Sequence, residues 1–409
     1  MTRSLPSDWT SCAFGEIATI ANGQVDPKAD NYRNMILVGP DHIREGGGEL
    51  VTPLSTALEQ DAISRKYIFK KGQVIYSKIR PNLNKVYFAE IDGLCSADIY
   101  PIEFSRKLVI PKFSYYVLLG ESFFKAAVSA SMRSGIPKVN RDDLSIIEIA
   151  LPPLAEQQRI VAVLDAWDQA IGQSERLIAA KQRRFDAARV RLIEAYQASG
   201  KGSNSWAPAE FSEIAEELKQ RNTAGHGPDR VMGVIKGEGL IPMRAHVMAA
   251  DLRRYLVVPP QAIAYNPMRL NIGSIAASRY DEDVLVSPDY VVFRARKSRA
   301  DPNFLRFLIG TKRWRDHLIT VGSGSVRTRI YFDGLAEMVL RVPDVREQKR
   351  IGQILTAMEE DLKTTIEAAS ALRIQQRGLM QKLLTGEWRL DERFDPSPAP
   401  RQAHLGGVS

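Results

Sequence analysis

LPPLAEQQRIVAVL, residues 151–164, returns as VPDVREQKRIGQIL at residues 342–355. Setting EQQRI (156–160) on EQKRI (347–351) fixes an offset of 191 residues. Downstream of each motif the apolar positions step by four and three, with no insertion in either copy. The first copy places Ile160, Leu164, Trp167, Ile171, Ile178, Phe185 and Leu192 on this stripe, and the second Ile351, Leu355, Met358, Leu362, Leu372, Leu379 and Leu383. Alternating four-three spacing is the seam of a coiled coil. Polar residues interrupt both seams, Ser174 and Lys181 in the first, Thr365 and Gln376 in the second, and such residues fix register. Each segment predicts a helix of about 40 residues, roughly 60 Å long. Pro153 suits a first helical turn, and Asp344 with Glu347 suits a capping box. Shared register and the absence of insertions predict that the two helices pack on each other.

The repeat extends upstream. Ser96-Ala97-Asp98 falls on Ser287-Pro288-Asp289, and Lys138 on Arg329. Farther back the offset drifts by two, and Arg80-Pro81-Asn82 matches Arg269-Leu270-Asn271. The chain is therefore two copies of one unit, each a mixed region followed by a long helix, and a period this long means tandem domains rather than a solenoid. The segments are 1–150 and 199–341 for the mixed regions, 151–198 and 342–388 for the helices, and 389–409 for a Pro-rich tail expected to be disordered. SGKGSN (199–204) has the composition of a flexible linker. Strand-like runs occur at 66–79, 84–91, 254–266, 284–296, 145–152 and 337–343, and one helix is predicted in each mixed region, at 113–130 and 304–319. Each copy reads as an α+β domain.

At 409 residues the chain fits two or three domains, and its net charge of +8 is compatible with nucleic acid without demanding it. Cys12 and Cys95 stand far apart without CxxC spacing, which fits a reducing cytoplasm and argues against a disulfide framework or a structural zinc site. No apolar run approaches 18 residues and the first residues carry no apolar block, so neither a membrane span nor a signal peptide is expected.

Motifs for catalysis are missing. No GxxxxGK[ST] string occurs, and the Gly-rich runs REGGGEL (44–50) and VGSGSV (321–326) lack its Lys-Ser/Thr. Asn266-Pro267-Met268-Arg269 is not the Asn/Asp-Pro-Pro-aromatic loop of amino-methyltransferases. Asp344 with Asp361-Leu362-Lys363 matches a nuclease string, but the two acids lie about 25 Å apart along one helix, too far to share a metal. His42, His226, His246, His317 and His404 form no helical ligand pair, and no GxSxG elbow is present.

The two EQxRI helices, together with QKLLTGEWRL at 381–390, resemble the corresponding parts of type I restriction–modification specificity subunits. The resemblance covers the full order of domain, helix, domain, helix. It departs at the end of the first copy, where RLIEAYQASGKGSN replaces a second LLTG. It implies two similar α+β target-recognition domains joined by two long antiparallel coiled-coil helices in a pseudo-twofold arrangement. Each domain reads one half of an asymmetric bipartite site on double-stranded DNA. The helices set the spacer and dock methyltransferase (M) subunits, two by expectation, and restriction (R) motor–nuclease subunits can join. No cofactor belongs to this chain, and S-adenosylmethionine is held by the methyltransferase. Two other functions fit the same residues: the specificity subunit of a combined methyltransferase–nuclease cutting both sides of its site, and a coiled-coil scaffold that binds no DNA.

Candidate DNA contacts are polar and basic loop residues present in both copies. One set is Lys78, Arg80, Asn82, Asn84 and Lys85, with Asn266, Arg269 and Asn271 as counterparts. Arg suits guanine O6/N7 and Asn suits adenine N6/N7. The other is Arg133, Lys138 and Arg141, with Arg327 and Arg329, near glycines whose amides can meet phosphate. Any one of these is equally compatible with a solvated hairpin residue.

Overall fold

The computed structural model describes residues 5–51, 53–131, 137–198, 206–244, 249–322 and 329–395. The chain divides into two compact units, residues 1–175 with 368–409, and residues 176–367. Both long helices contribute to both units, so each unit is a mixed head plus a section of two helices. The 199–204 linker lies outside the described residues.

The heads share the plan of their opening strand pair and of their main sheet. In the first, Thr10–Ala13 pairs antiparallel with Glu148–Leu151, so the strand that opens the head lies beside the strand that closes it. In the second, Ala207–Glu210 and Val339–Val342 do the same. The main sheet of the first head runs Ala18–Ile20, Ile99–Phe104, Val74–Ser77, Val86–Phe88. That of the second runs Ala215–Leu218, Val291–Ala295, Ile263–Tyr265, Ile275–Ala277, in the same order. Even single bonds repeat: Phe14 N donates to Ile147 O at 2.8 Å, and Phe211 N to Met338 O at 2.9 Å. The helix predicted in each head is in fact two. Pro111–Leu119 breaks at Gly120, which turns extended, before Glu121–Ser131, and Pro302–Leu308 stops before Lys312–Gly322.

The closing strand of each head feeds directly into a long helix. Leu154–Arg189 is α-helical and passes through one π turn, Val190–Glu194, before Ala195–Ala198. Val345–Leu384 is α-helical throughout its 40 residues. Asp344 caps the second helix, its Oδ1 accepting from Glu347 N at 2.9 Å, but the capping box is only half formed because the Glu347 carboxylate turns to Arg350.

The EQxRI motif owes its repetition to its first glutamine. Gln157 is fully buried; its Nε2 donates to Leu108 O (2.8 Å) and Pro152 O (3.0 Å), while Oε1 accepts from Ile110 N (2.8 Å). Gln348 repeats all three bonds with Arg299 O, Pro343 O and Asp301 N at 3.2, 2.9 and 3.0 Å. One carboxamide thus staples the helix start to its head. Only the carboxamide of Gln or Asn supplies two N–H donors and a carbonyl acceptor together.

Every predicted seam residue is buried or half-buried. The outer ones, however, do not serve a helix–helix seam alone. Ile160, Leu164 and Leu383 lie in the first head's core, with Leu379 packed against it, and Ile351 and Leu355 lie in the second head's core beside Phe185 and Leu192. An apolar stripe this long is shared between the partner helix and the head each end supports. Helix pairing is explicit at the polar positions. In the first unit Gln376 Nε2 donates to Asp168 Oδ1 at 2.5 Å and Arg373 pairs with Glu175. In the second unit Lys181 Nζ reaches Asp361 Oδ1 at 2.6 Å and Thr365 Oγ1 at 2.8 Å. In the first unit residue numbers rise on one helix as they fall on the other, so the helices run antiparallel there.

The second helix ends at Gly386 (φ 69°), where a Cβ would lie 2.6 Å from Pro6 Cγ, so the Leu-Leu-Thr-Gly stop needs its glycine. Residues 389–395, assigned above to the disordered tail, are tied to the first unit instead. Arg389 clasps Glu156 and Asp8, and Asp395 accepts from Arg159 at 2.6 Å. Residues 396–409 lie outside the described residues.

Candidate nucleic-acid interface

Strands Val74–Ser77 and Val86–Phe88 are joined by a loop that does not close as a tight hairpin. Pro81–Leu83 forms a 3-10 turn bracketed by two left-handed residues, Arg80 (φ 48°) and Asn84 (φ 45°). Asn tolerates this conformation, whereas an Arg adopts it where its surroundings hold it there. Here Arg80 N donates to Pro137 O and Val139 N to Lys78 O, both at 2.9 Å, so residues 137–139 form a bridge beside the loop. The two candidate sets of the first head, far apart in sequence, thus lie side by side. Pro81 plugs into the core while Arg80 and Asn82 face solvent.

The second head builds the same feature with different chemistry. Asn266 Oδ1 accepts from Met268 N at 3.0 Å, an Asx turn, and Leu270 occupies the buried place of Pro81. Ile330 N donates to Pro267 O at 3.1 Å and joins the second loop to the first. Arg269 and Asn271 are exposed, as are Arg329 and, in the first head, Lys138.

The remaining candidates serve the fold. Asn84 Nδ2 donates to Leu119 O at 3.0 Å, leaving its buried Oδ1 without a partner among the described residues. Lys85 is almost buried, with Nζ on Pro40 O at 2.9 Å. Arg141 donates to Ile20 O (3.0 Å) and Ala21 O (2.6 Å) and lies 5.1 Å from the Tyr100 ring centre. Lys78 is half-buried, 5.3 Å from the same ring. Asn266 spends its side-chain oxygen on its turn. Arg133 and Arg327 lie outside the described residues. Among the described residues the candidates exposed to a ligand are therefore Arg80, Asn82 and Lys138 on one head and Arg269, Asn271 and Arg329 on the other. Arg329 Nη1 touches Tyr331 Oη at 3.4 Å, a contact that holds its proton more firmly.

One neighbour escaped the sequence. The loop REGGGEL packs against the 80–85 turn, with Gly46 N donating to Leu83 O at 3.1 Å. Gly46, Gly47 and Gly48 all have positive φ, and a Cβ on Gly47 would sit 2.4 Å from Leu119 Cδ2. Three adjacent glycines were the available signal, pointing to close backbone approach rather than phosphate cradling.

The family model for the type I restriction modification DNA specificity domain matches residues 6–181. The specificity subunit of the type I restriction enzyme EcoDI from Escherichia coli is 40% identical over 158 residues, 39% of this chain and 34% of that protein. The chain thus spans about a third of that relative's length. A chain from a solved structure concerned with complex assembly and conformational transition of the type I R-M system gives a TM-score of 0.56 at 19% identity, over 94% of this chain and 100% of its own. The S subunit of a type I restriction–modification system from M. genitalium gives 0.55 at 13% identity, over 93% and 98%. At these identities the structural likeness concerns fold, and it extends through both units. Residues 6–181 of this chain thus match the type I restriction modification DNA specificity domain, and over nearly its whole length the chain is similar in fold to the S subunit of a type I restriction–modification system.

Proposed function

We propose that the chain reads DNA sequence for a type I restriction–modification complex, each head recognising one half of an asymmetric, split site. The observation that carries this is the repeated turn. Two heads with the same main-sheet plan each expose an Arg and an Asn on a backbone-locked loop, with a second cation from the adjoining loop: Arg80, Asn82 and Lys138, then Arg269, Asn271 and Arg329. A fixed Arg can bond guanine bidentately and a fixed Asn adenine, while a flanking cation meets phosphate. Because the loops differ in sequence and turn type, the two half-sites differ.

The long helices set the spacing between the halves and dock the methyltransferase subunits, two by expectation, to which restriction motor–nuclease subunits can add. S-adenosylmethionine and the chemistry belong to those partners; this chain contributes recognition, in the cytoplasm.

The test pairs the full chain with its methyltransferase partner and maps the methylated positions in host DNA. A motif split into two halves is expected. Replacing Arg80 and Asn82 by Ala is then expected to relax one half-site only, by about 1–3 kcal/mol for each lost base contact. A uniform loss over all sequences would make these residues phosphate contacts, and an undivided motif would end the two-head reading.

A further inference from the structure

We propose that Arg44, Arg373 and Arg377, gathered around Glu175, form a phosphate site that holds the DNA backbone beside the reading loop of the first head. The inference rests on the DNA-reading function above and adds a contact surface on the helix pair.

Glu175 Oε1 accepts from Arg44 Nη1 at 2.6 Å and also pairs with Arg373. Arg377 stands one helical turn beyond Arg373, exposed and without an ion pair among the described residues. One carboxylate oxygen thus serves two guanidiniums, with a third at hand. Glu45 and Glu49, on the same loop as Arg44, make no ion pair with any of the three among the described residues. Burial, then the fields of Arg44 and Arg377, weaken the hold of Arg373 on its proton. Like charges crowded in this way are relieved by an anion, and the planar fork of a guanidinium matches the oxygens of a phosphodiester.

Position favours DNA over an acidic protein surface. Arg44 opens the glycine loop, and two residues later Gly46 is hydrogen-bonded to Leu83 inside the turn that exposes Arg80 and Asn82. The cluster therefore adjoins the reading turn through a single loop. Its contribution is affinity without sequence preference, because a phosphate carries no base information.

The experiment measures binding of the full chain, in complex with its methyltransferase, to duplex carrying the mapped site between 50 and 200 mM salt, a span over which phosphate contacts are strongly screened. Arg377→Gln has no ion pair to lose among the described residues and sits on an exposed helix face, so it leaves the fold in place; Arg373→Gln with Arg377→Gln is the stronger variant. Each lost phosphate contact is expected to flatten the slope of log K against log salt by about 0.9, leaving half-site preference unchanged. Glu175→Gln releases two guanidiniums and is expected to tighten binding at low salt. Unchanged slopes in both arginine variants would overturn the site. So would weakened methyltransferase association at unchanged slope, which would assign the cluster to a protein partner. If the wild-type complex showed no half-site preference, the DNA-reading function itself would fail, a result separate from either slope.

Discussion

The buried glutamines offer the sharpest test of how heads and helices are joined. Replacing Gln157 with Leu keeps similar bulk but strips one acceptor and two donated bonds, leaving Ile110 N–H, Leu108 O and Pro152 O unpaired where water does not reach. A buried polar group left unpaired costs about 1–3 kcal/mol. Three around one side chain are not additive, so a loss of about 3–5 kcal/mol is expected, a sizeable part of the 5–15 kcal/mol by which a domain is ordinarily stable. Gln348→Leu should cost the second unit a similar amount through Asp301, Arg299 and Pro343. Denaturant unfolding gives the magnitude, and region-resolved hydrogen exchange gives the place. Gln157→Leu should release the Ile110 amide and the start of the first helix while Asp301 stays protected, and Gln348→Leu should do the reverse. A loss below about 1 kcal/mol, or faster exchange confined to other segments, would refute the staple.

At the other end of the second helix, Arg389→Ala should destabilise the first unit. It strands Glu156, which is 3% exposed and, among the described residues, keeps only the Trp9 Nε1 bond at 3.0 Å. Arg389 itself is partly exposed, so about 1–3 kcal/mol is expected by thermal unfolding, less than for a fully buried pair, and Glu156→Gln in that background should recover part of it. Arg389 also holds the Asp8 carboxyl below its usual range, so the Asp8 contribution is complete above the unfolded carboxylate pKa and is lost as pH falls through the folded one. The variant should accordingly show a shallower acid limb in stability against pH. A thiol reagent should label half-buried Cys12 in the native protein and Cys95 only on unfolding, since Cys95 is sealed and burial pushes its thiol well above the ordinary range. Equal labelling of both would show that the sheet holding Cys95 opens readily.

What the sequence disclosed follows from how local each signal is. The long helices are written in local spacing and the repeat in a shared motif, and the structure has both the two long helices and the repeated strand pairings. The short opening strands Thr10–Ala13 and Ala207–Glu210 went unseen, because each is defined by a partner more than a hundred residues away. So it was with single site residues. Lys85 and Arg80 look alike as text, yet Lys85 ends on the Pro40 carbonyl and Arg80 in solvent, a difference set by tertiary pairing. Arg141 has the residue type and loop position of a ligand group, yet it ties the Ile20–Ala21 backbone. That Arg80, Asn82, Arg269 and Asn271 lie in turns is legible because turn chemistry is local; the orientation of each side chain is not, because contact is not local.

The staple also explains why the copies agree where they do. Among the described residues the side chains of Gln157 and Gln348 bond only to main-chain atoms, and main-chain atoms do not change when side chains do. A head attached in this way can alter its reading loop, an Arg-Pro-Asn turn in one copy and an Arg-Leu-Asn turn with an Asx bend in the other, without loosening its seat on the helix. A side-chain-specific seat would have coupled the two, so that each new loop risked a misplaced head. Sequence identity between the copies should therefore concentrate at the helix starts and fade toward the turns. The copies already follow this: EQQRI and EQKRI differ at one position, whereas SKIRPNLNKV and NPMRLNIGSI keep little beyond Arg and Asn.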